Sequence, residues 1–153
     1  MFLLFLGDGN DINGDTRKER LLEYNLSTPY DLTNITLVEN AGINLTGSSF
    51  ANPIGMRFSK NGKRLFIVDH NKMAIGQISL NVAFSTASYT IDGTIVIRNI
   101  PTANDHNQPR GIALGPNGIK IYVGTDRVNS GNDGADSVSC LLYTSDAADE
   151  GWC

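Results

Sequence analysis

The chain has 153 residues, 41 % of them apolar and 18 % charged, with 16 glycines, 5 prolines and a formal charge of −4 at pH 7. That balance fits one soluble globular unit and excludes a disordered tail or a low-complexity fibre. The lack of a basic stripe argues against a dedicated nucleic-acid binder, and no run approaches the roughly 18 apolar residues of a membrane span.

Taken in chain order, Leu3-Leu4-Phe5-Leu6 is the first apolar run. It is shorter than the roughly 7 to 15 residues of a secretion-signal core, and no positive charge precedes it. It aligns instead with Leu65-Phe66-Ile67-Val68, which predicts a second strand of a unit whose first strand lies upstream, with Met1 an internal methionine. The loop that follows offers Asp8, Asn10, Asp11, Asn13 and Asp15, an oxygen-rich set punctuated by Gly9 and Gly14 that suits calcium. Read against the EF-hand spacing, however, Ile12 stands where a ligand should be and no bidentate Glu follows at the twelfth position, so a solvated polar loop is the competing reading. Arg17-Lys18-Glu19-Arg20 is the only dense charge run and reads as a solvated entry into a strand at 21–26.

From residue 53 the pattern is a strand pattern throughout. Ile54, Met56 and Phe58 alternate with Gly55 and Arg57, the period of a strand with one buried face. Asn61-Gly62 supplies a tight hairpin, because both residues tolerate positive φ. Leu65-Phe66-Ile67-Val68 is a continuous apolar run suited to a strand covered on both faces. Ala74, Gly76, Ile78 and Leu80 alternate as a third strand, and 94–100 is predicted to be a fourth. No helical 3.6 period interrupts residues 40–130.

Both cysteines, Cys140 and Cys153, and the single Trp152 fall in the last 14 residues. The run from Cys140 through Leu141, Leu142, Tyr143, Thr144 and Ser145 to Glu150 resembles the conceptual translation of a transposon-based sequencing adapter, which sets 140–153 apart as an adapter-derived tail. Without it, the 16 acidic residues less Asp146, Asp149 and Glu150 leave 13 against 12 basic ones, a net charge of −1. No cysteine then remains, so cysteine usage says nothing about compartment.

The sequence repeats internally. The segment at 53–68 aligns without gaps on 109–124 at an offset of 56, with Pro53 on Pro109, Gly55 on Gly111, Asn61 on Asn117 and Gly62 on Gly118. A second register at an offset of 54 matches Leu26 with Leu80, Tyr30 with Phe84 and Thr36 with Thr90. Four antiparallel strands per unit is the pattern of a β-propeller blade. The segment from Gly111-Ile112-Ala113-Leu114-Gly115-Pro116-Asn117-Gly118 to Tyr122-Val123 resembles the YVTN-type β-propeller repeat, which reads roughly G-I-A-x-S-P-D-G-x-x-x-Y-V. Gly115 stands where that pattern has Ser, and Asn117 where it has Asp. Tyr24-Asn25-Leu26-Ser27-Thr28-Pro29-Tyr30-Asp31-Leu32 is similar to the L-S-T-P-x-D element in propeller-repeat proteins of aquatic bacteria and their phages.

The resemblance implies an all-β, partial β-propeller with 1–52 as a partial blade, 53–108 as a complete one and 109–139 as the start of a third. Closure takes about 4 to 8 blades, so roughly two and a half make an open stack. In such a stack the turns at 60–62 and 116–118 lie on one face. The other collects the chemistry-bearing loop residues Asp69, His70, Asp105, His106, Arg110 and Asp126 as a candidate ligand face. No nucleophile elbow, zinc motif or phosphate-binding loop accompanies the two histidines. The resemblance carries architecture and no catalytic residue. It implies a non-catalytic binding or scaffold module of a larger extracellular or virion-associated protein, with a protein or glycan ligand and no cofactor. The alternatives are part of a lactonase-like propeller enzyme and a calcium-stabilised structural repeat.

Overall fold

Eleven β-strands and no helix occupy the residues that this computed structural model describes, namely 2–5, 20–38, 42–45, 50–97, 107–127 and 137–142. They form three antiparallel sheets. The first contains β1 (Phe2–Phe5), β2 (Arg20–Leu26), β3 (Ile35–Leu37) and β4 (Ile43–Asn44), with β3 and β4 both pairing on β2. The second runs β5 (Pro53–Phe58), β6 (Arg64–Asp69), β7 (Ala74–Leu80), β8 (Tyr89–Val96) in chain order. The third has β10 (Lys120–Arg127) between β9 (Asn107–Leu114) and β11 (Ser137–Leu142). Among the described residues no helix is long and apolar enough to cross a membrane.

The middle sheet is covered on both faces, and β6 shows why. Side chains alternate across a strand, so Leu65 and Ile67 point one way and Phe66 the other. Leu65 and Ile67 join Ile78 and Leu80 in a core closed from the first sheet by Leu21 and Ile43, with Leu45 and Phe50 beside them. Phe66 and Ile75 meet Ile121 and Val123 of the third sheet. A strand with both faces buried needs apolar residues at every position, and the uninterrupted run Leu65-Phe66-Ile67-Val68 supplies them. Each of these side chains contributes about 1.5–3 kcal/mol by leaving water. The ring of Phe50 lies so close over Gly76 that a Cβ there would stand 2.1 Å from it, so glycine at this strand position is a packing requirement.

The two hairpins 56 residues apart are the same structure. The Ser59 N–H donates to the Arg64 carbonyl and the Gly62 N–H to the Ser59 carbonyl, at 2.8 and 2.9 Å; Gly115, Lys120 and Gly118 repeat both bonds at those distances. Gly62 and Gly118 take φ of 68° and 73°. Asn61 and Asn117 are not in the positive-φ region; each accepts a backbone N–H two residues on, from Lys63 at 3.1 Å and Ile119 at 3.2 Å. The asparagine therefore acts through its side chain, and only the glycine uses left-handed backbone. The register also slips at corresponding places, between Pro53 and Gly55 opposite Asp69 and Val68, and between Pro109 and Gly111 opposite Thr125 and Gly124.

The offset of 54 has a structural counterpart as well. Ser27 and Asn81 donate N–H bonds to Asn34 and Ser88, and Asp31 and Ser85 donate to Thr28 and Val82. Tyr30 and Phe84, at matching positions, are two of the three non-glycine residues with positive φ among those described, at 65° and 56°. The fourth strand of the middle sheet is Tyr89–Val96, earlier than the 94–100 expected. The reason is Asp92-Gly93, which forms a bulge inside the strand: the register slips there, and the Asp92 carboxylate accepts from Gln77 Nε2 and Ser79 Oγ, both at 2.7 Å. In the first sheet the strands paired on that side of β2 are the two short pieces β3 and β4, and Gly42, just before β4, has a φ of 141°, near the 152° of Gly93. β1 pairs with β2 as β6 pairs with β7, as expected of a second strand, although the register sets Leu3 rather than Phe5 level with Ile67. β11 runs across the expected boundary at 139/140, with Cys140 opposite Tyr122.

Candidate functional site

Strand direction sorts the connections into two ends. At one lie the hairpin turns at 59–63 and 115–119 together with the 27–34 and 81–88 turns; the Phe84 N–H bonds the Gly62 carbonyl and Lys63 Nζ bonds the Asn81 carbonyl. At the other lie the β6–β7 connection, the start of β5 and the start of β9. These starts are level with each other, because a Cβ on Gly55 would be 3.6 Å from the Arg110 carbonyl oxygen and 3.9 Å from Gly111 Cα. Asp69, His70, Arg110 and the backbone of Asp126 are thus at one end of their sheets, and Asp126 occupies in β10 the position that His70 occupies after β6. Asp105 and His106 lie outside the described residues, as do Asp8, Asn10, Asp11, Asn13 and Asp15. Among the described residues no group of three or more His, Cys, Asp and Glu is arranged to hold a metal ion.

Within this end the side chains divide by burial. Asp69 is fully buried. Its Oδ2 accepts the N–H of Ala51 at 2.5 Å and of Asn52 at 2.8 Å, and its Oδ1 accepts the N–H of Lys72 at 2.7 Å. Three backbone donors offset the cost of taking a carboxylate out of water, and they tie the segment entering β5 to the loop leaving β6. Asp69 thus holds the loop from beneath, while the residues after it face outward. The His70 N–H donates to the Asn52 carbonyl at 2.9 Å. Asn71 Oδ1 lies 3.0 Å from His70 Nδ1 and 3.4 Å from Asn52 Nδ2. Asn71, Lys72 and Arg110 are exposed. The end therefore brings together amide, imidazole, ammonium and guanidinium groups.

The only resolved shift of acidity among the described groups is at the opposite end. Asp31 Oδ1 accepts the Thr33 N–H at 2.9 Å and the Thr33 hydroxyl at 2.7 Å. These bonds, the backbone one first, favour the ionised form and hold its carboxyl below the ordinary carboxylate range.

One polar link was not foreseeable along a single strand. Glu23, on β2, reaches into the turn after β7, where its Oε2 accepts both the N–H and the hydroxyl of Thr86, at 2.8 and 2.9 Å. Thr86 is fully buried, so this carboxylate satisfies both of its donors and joins the first sheet to the second. Searches of family models, curated proteins and solved structures find no match to this chain.

Proposed function

We propose that the chain is a segment of a β-propeller of the YVTN type, acting as a non-catalytic binding or scaffold module within a larger protein. The observation that carries the reading is the correspondence of the hairpins at 53–69 and 109–125, which share register, turn bonds and bulge while their sheets pack face to face. Successive sheets of one design, each covering the next, are how a propeller is built. The binding role draws on the end bearing the half-buried His70 and the exposed Asn71 and Lys72, on a loop fixed by the buried Asp69, together with the exposed Arg110 in β9.

An array of immobilised glycans and extended peptides, probed with the chain, tests this. Binding to one class is expected, weakened by His70→Ala and Arg110→Ala and unchanged by Lys60→Ala at the opposite end. Turnover of a lactone or ester substrate, lost in His70→Ala, would replace the binding module by the hydrolase alternative.

A further inference from the structure

Two Asn-Gly pairs occupy equivalent turns, and their reacting atoms are held with different firmness. An asparagine followed by glycine is open to an internal reaction, because the next backbone nitrogen lies within reach of the side-chain Cγ and glycine has no Cβ to obstruct the approach. Attack requires the side-chain amide to swing off its hydrogen-bond partners and the following N–H to give up its proton. At Asn61 both steps are opposed. Its Oδ1 accepts from Ser59 Oγ at 2.8 Å and from the Lys63 N–H at 3.1 Å, and Ser59 Oγ is itself fixed by the Arg64 N–H at 3.0 Å. Gly62 is buried beneath the Phe84 ring, and its carbonyl accepts the Phe84 N–H at 2.9 Å.

The turn at Asn117 has fewer restraints. Gly115 stands where Ser59 stands, so that hydroxyl is missing, and Asn117 Oδ1 accepts the Ile119 N–H at 3.2 Å. Asn117 and Gly118 are both exposed, so water reaches the side-chain amide and the backbone N–H alike. The features that the turns share do not separate them: each glycine N–H donates at 2.9 Å to the carbonyl of residue 59 or 115, and φ is 68° and 73°.

We propose that Asn117-Gly118 is a site of spontaneous deamidation through a cyclic imide, and that the Ser59 and Phe84 contacts spare Asn61-Gly62. Hydroxide takes the Gly118 N–H proton and the nitrogen bonds to Asn117 Cγ. The Cγ–Nδ2 bond breaks, and ammonia leaves with a proton from water, which restores the hydroxide; nothing is oxidised or reduced. Water then opens the imide. Cleavage of the bond to Cγ gives aspartate, which keeps an acceptor for the Ile119 N–H. Cleavage at the main-chain carbonyl gives isoaspartate, which lengthens the backbone by one carbon and displaces that acceptor. Either product adds one negative charge to the turn.

Peptide mapping by mass spectrometry, with the 153-residue chain kept folded at mildly alkaline pH in heavy-oxygen water to mark each opened imide, tests this. Asn117 is expected to convert at least about fivefold faster than Asn61, the rate effect of one neutral hydrogen bond that must be given up. In concentrated urea, where neither turn persists, the two rates should converge. Gly115→Ser is expected to slow conversion at Asn117, and Ser59→Gly to speed it at Asn61, each with an unchanged far-ultraviolet circular dichroism spectrum. If Ser59→Gly misfolds, Ser59→Ala takes its place. Equal rates in the folded chain, an Asn117 that outlasts Asn61, or a ratio that persists unchanged in urea overturns the proposal, as does a folded Gly115→Ser chain that converts as fast as the wild type.

Discussion

Phe84 lies over Gly62 so closely that a Cβ on the glycine would stand 2.4 Å from two ring carbons, and the same ring meets Phe58 at a centroid distance of 5.6 Å. Gly118, at the same place in the later hairpin and with nearly the same φ, has open space where its Cβ would be. The pair separates two effects that usually act together. Gly118→Ala should lose about 1 kcal/mol, the strain of a side chain in left-handed backbone. Gly62→Ala carries that strain and must also displace the Phe84 ring, for a total of about 2–4 kcal/mol. Urea unfolding of both variants checks this, and equal losses would mean that Phe84 does not constrain the turn.

The carboxylate of Glu23 and the buried Thr86 are the clearest polar joint between two sheets. Glu23→Ala leaves the N–H and hydroxyl of Thr86 without this acceptor and should cost about 1.5–3 kcal/mol. Thr86→Val keeps the N–H bond and should cost about 1 kcal/mol. In a double-mutant cycle Thr86→Val should cost less when Glu23 is already alanine, with a coupling of about 0.5–2 kcal/mol. Strict additivity of the two losses would sink the link.

These two cases also show what was legible beforehand. Pattern along one strand was readable: Leu65-Phe66-Ile67-Val68 is a strand buried on both faces because every position is apolar, and the Asn-Gly turns recur at the expected spacing. At the fourth strand the reading failed. Expected at 94–100, the strand starts earlier and takes in Asp92-Gly93 as a bulge, with the cross-strand donors Gln77 and Ser79 holding the Asp92 carboxylate in place. Asp69 looked like an outward-facing loop residue, yet the backbone donors that bury it come from 17 and 18 residues earlier as well as from its own loop. Glu23 and Thr86 are 63 residues apart and meet only once the sheets stack. Non-local partners leave no periodic trace in a sequence.

Asp31 provides a test by pH. Its carboxyl lies below the ordinary value of 3.8 in the folded chain because Thr33 donates two bonds to the ionised form. A depressed folded value means that ionised Asp31 favours the fold: the contribution is present above the unfolded value and is lost as pH falls through the folded one. Carboxyl-carbon NMR should show Asp31 titrating below 3.8. Thr33→Val should move it upward only in part, since the backbone N–H, the larger cause, stays. Titration at or above 3.8 in the wild-type chain would contradict this account.

Gly115 is where the later hairpin lacks what the earlier one has. Ser59, its counterpart, donates from Oγ to Asn61 Oδ1 at 2.8 Å and accepts the Arg64 N–H at 3.0 Å. Gly115 has no side chain to do either, although its backbone bond to Lys120 matches the Ser59 bond to Arg64 at 2.8 Å. Its φ is compatible with any residue, and Asn117 Oδ1 would lie 3.7 Å from the new Cβ, within reach of a serine hydroxyl. The opposing term is Lys120, whose Cβ would stand 3.2 Å away and must yield by a few tenths of an ångström. Arg64 occupies the same position beside Ser59, so that adjustment has a precedent in this chain. Fewer unfolded conformations and two added hydrogen bonds outweigh it, and Gly115→Ser should gain about 0.5–1 kcal/mol. Thermal unfolding of the variant beside the wild-type chain reads this directly: a lower midpoint would mean that Lys120 cannot move aside and that the two hairpins differ in more than their side chains.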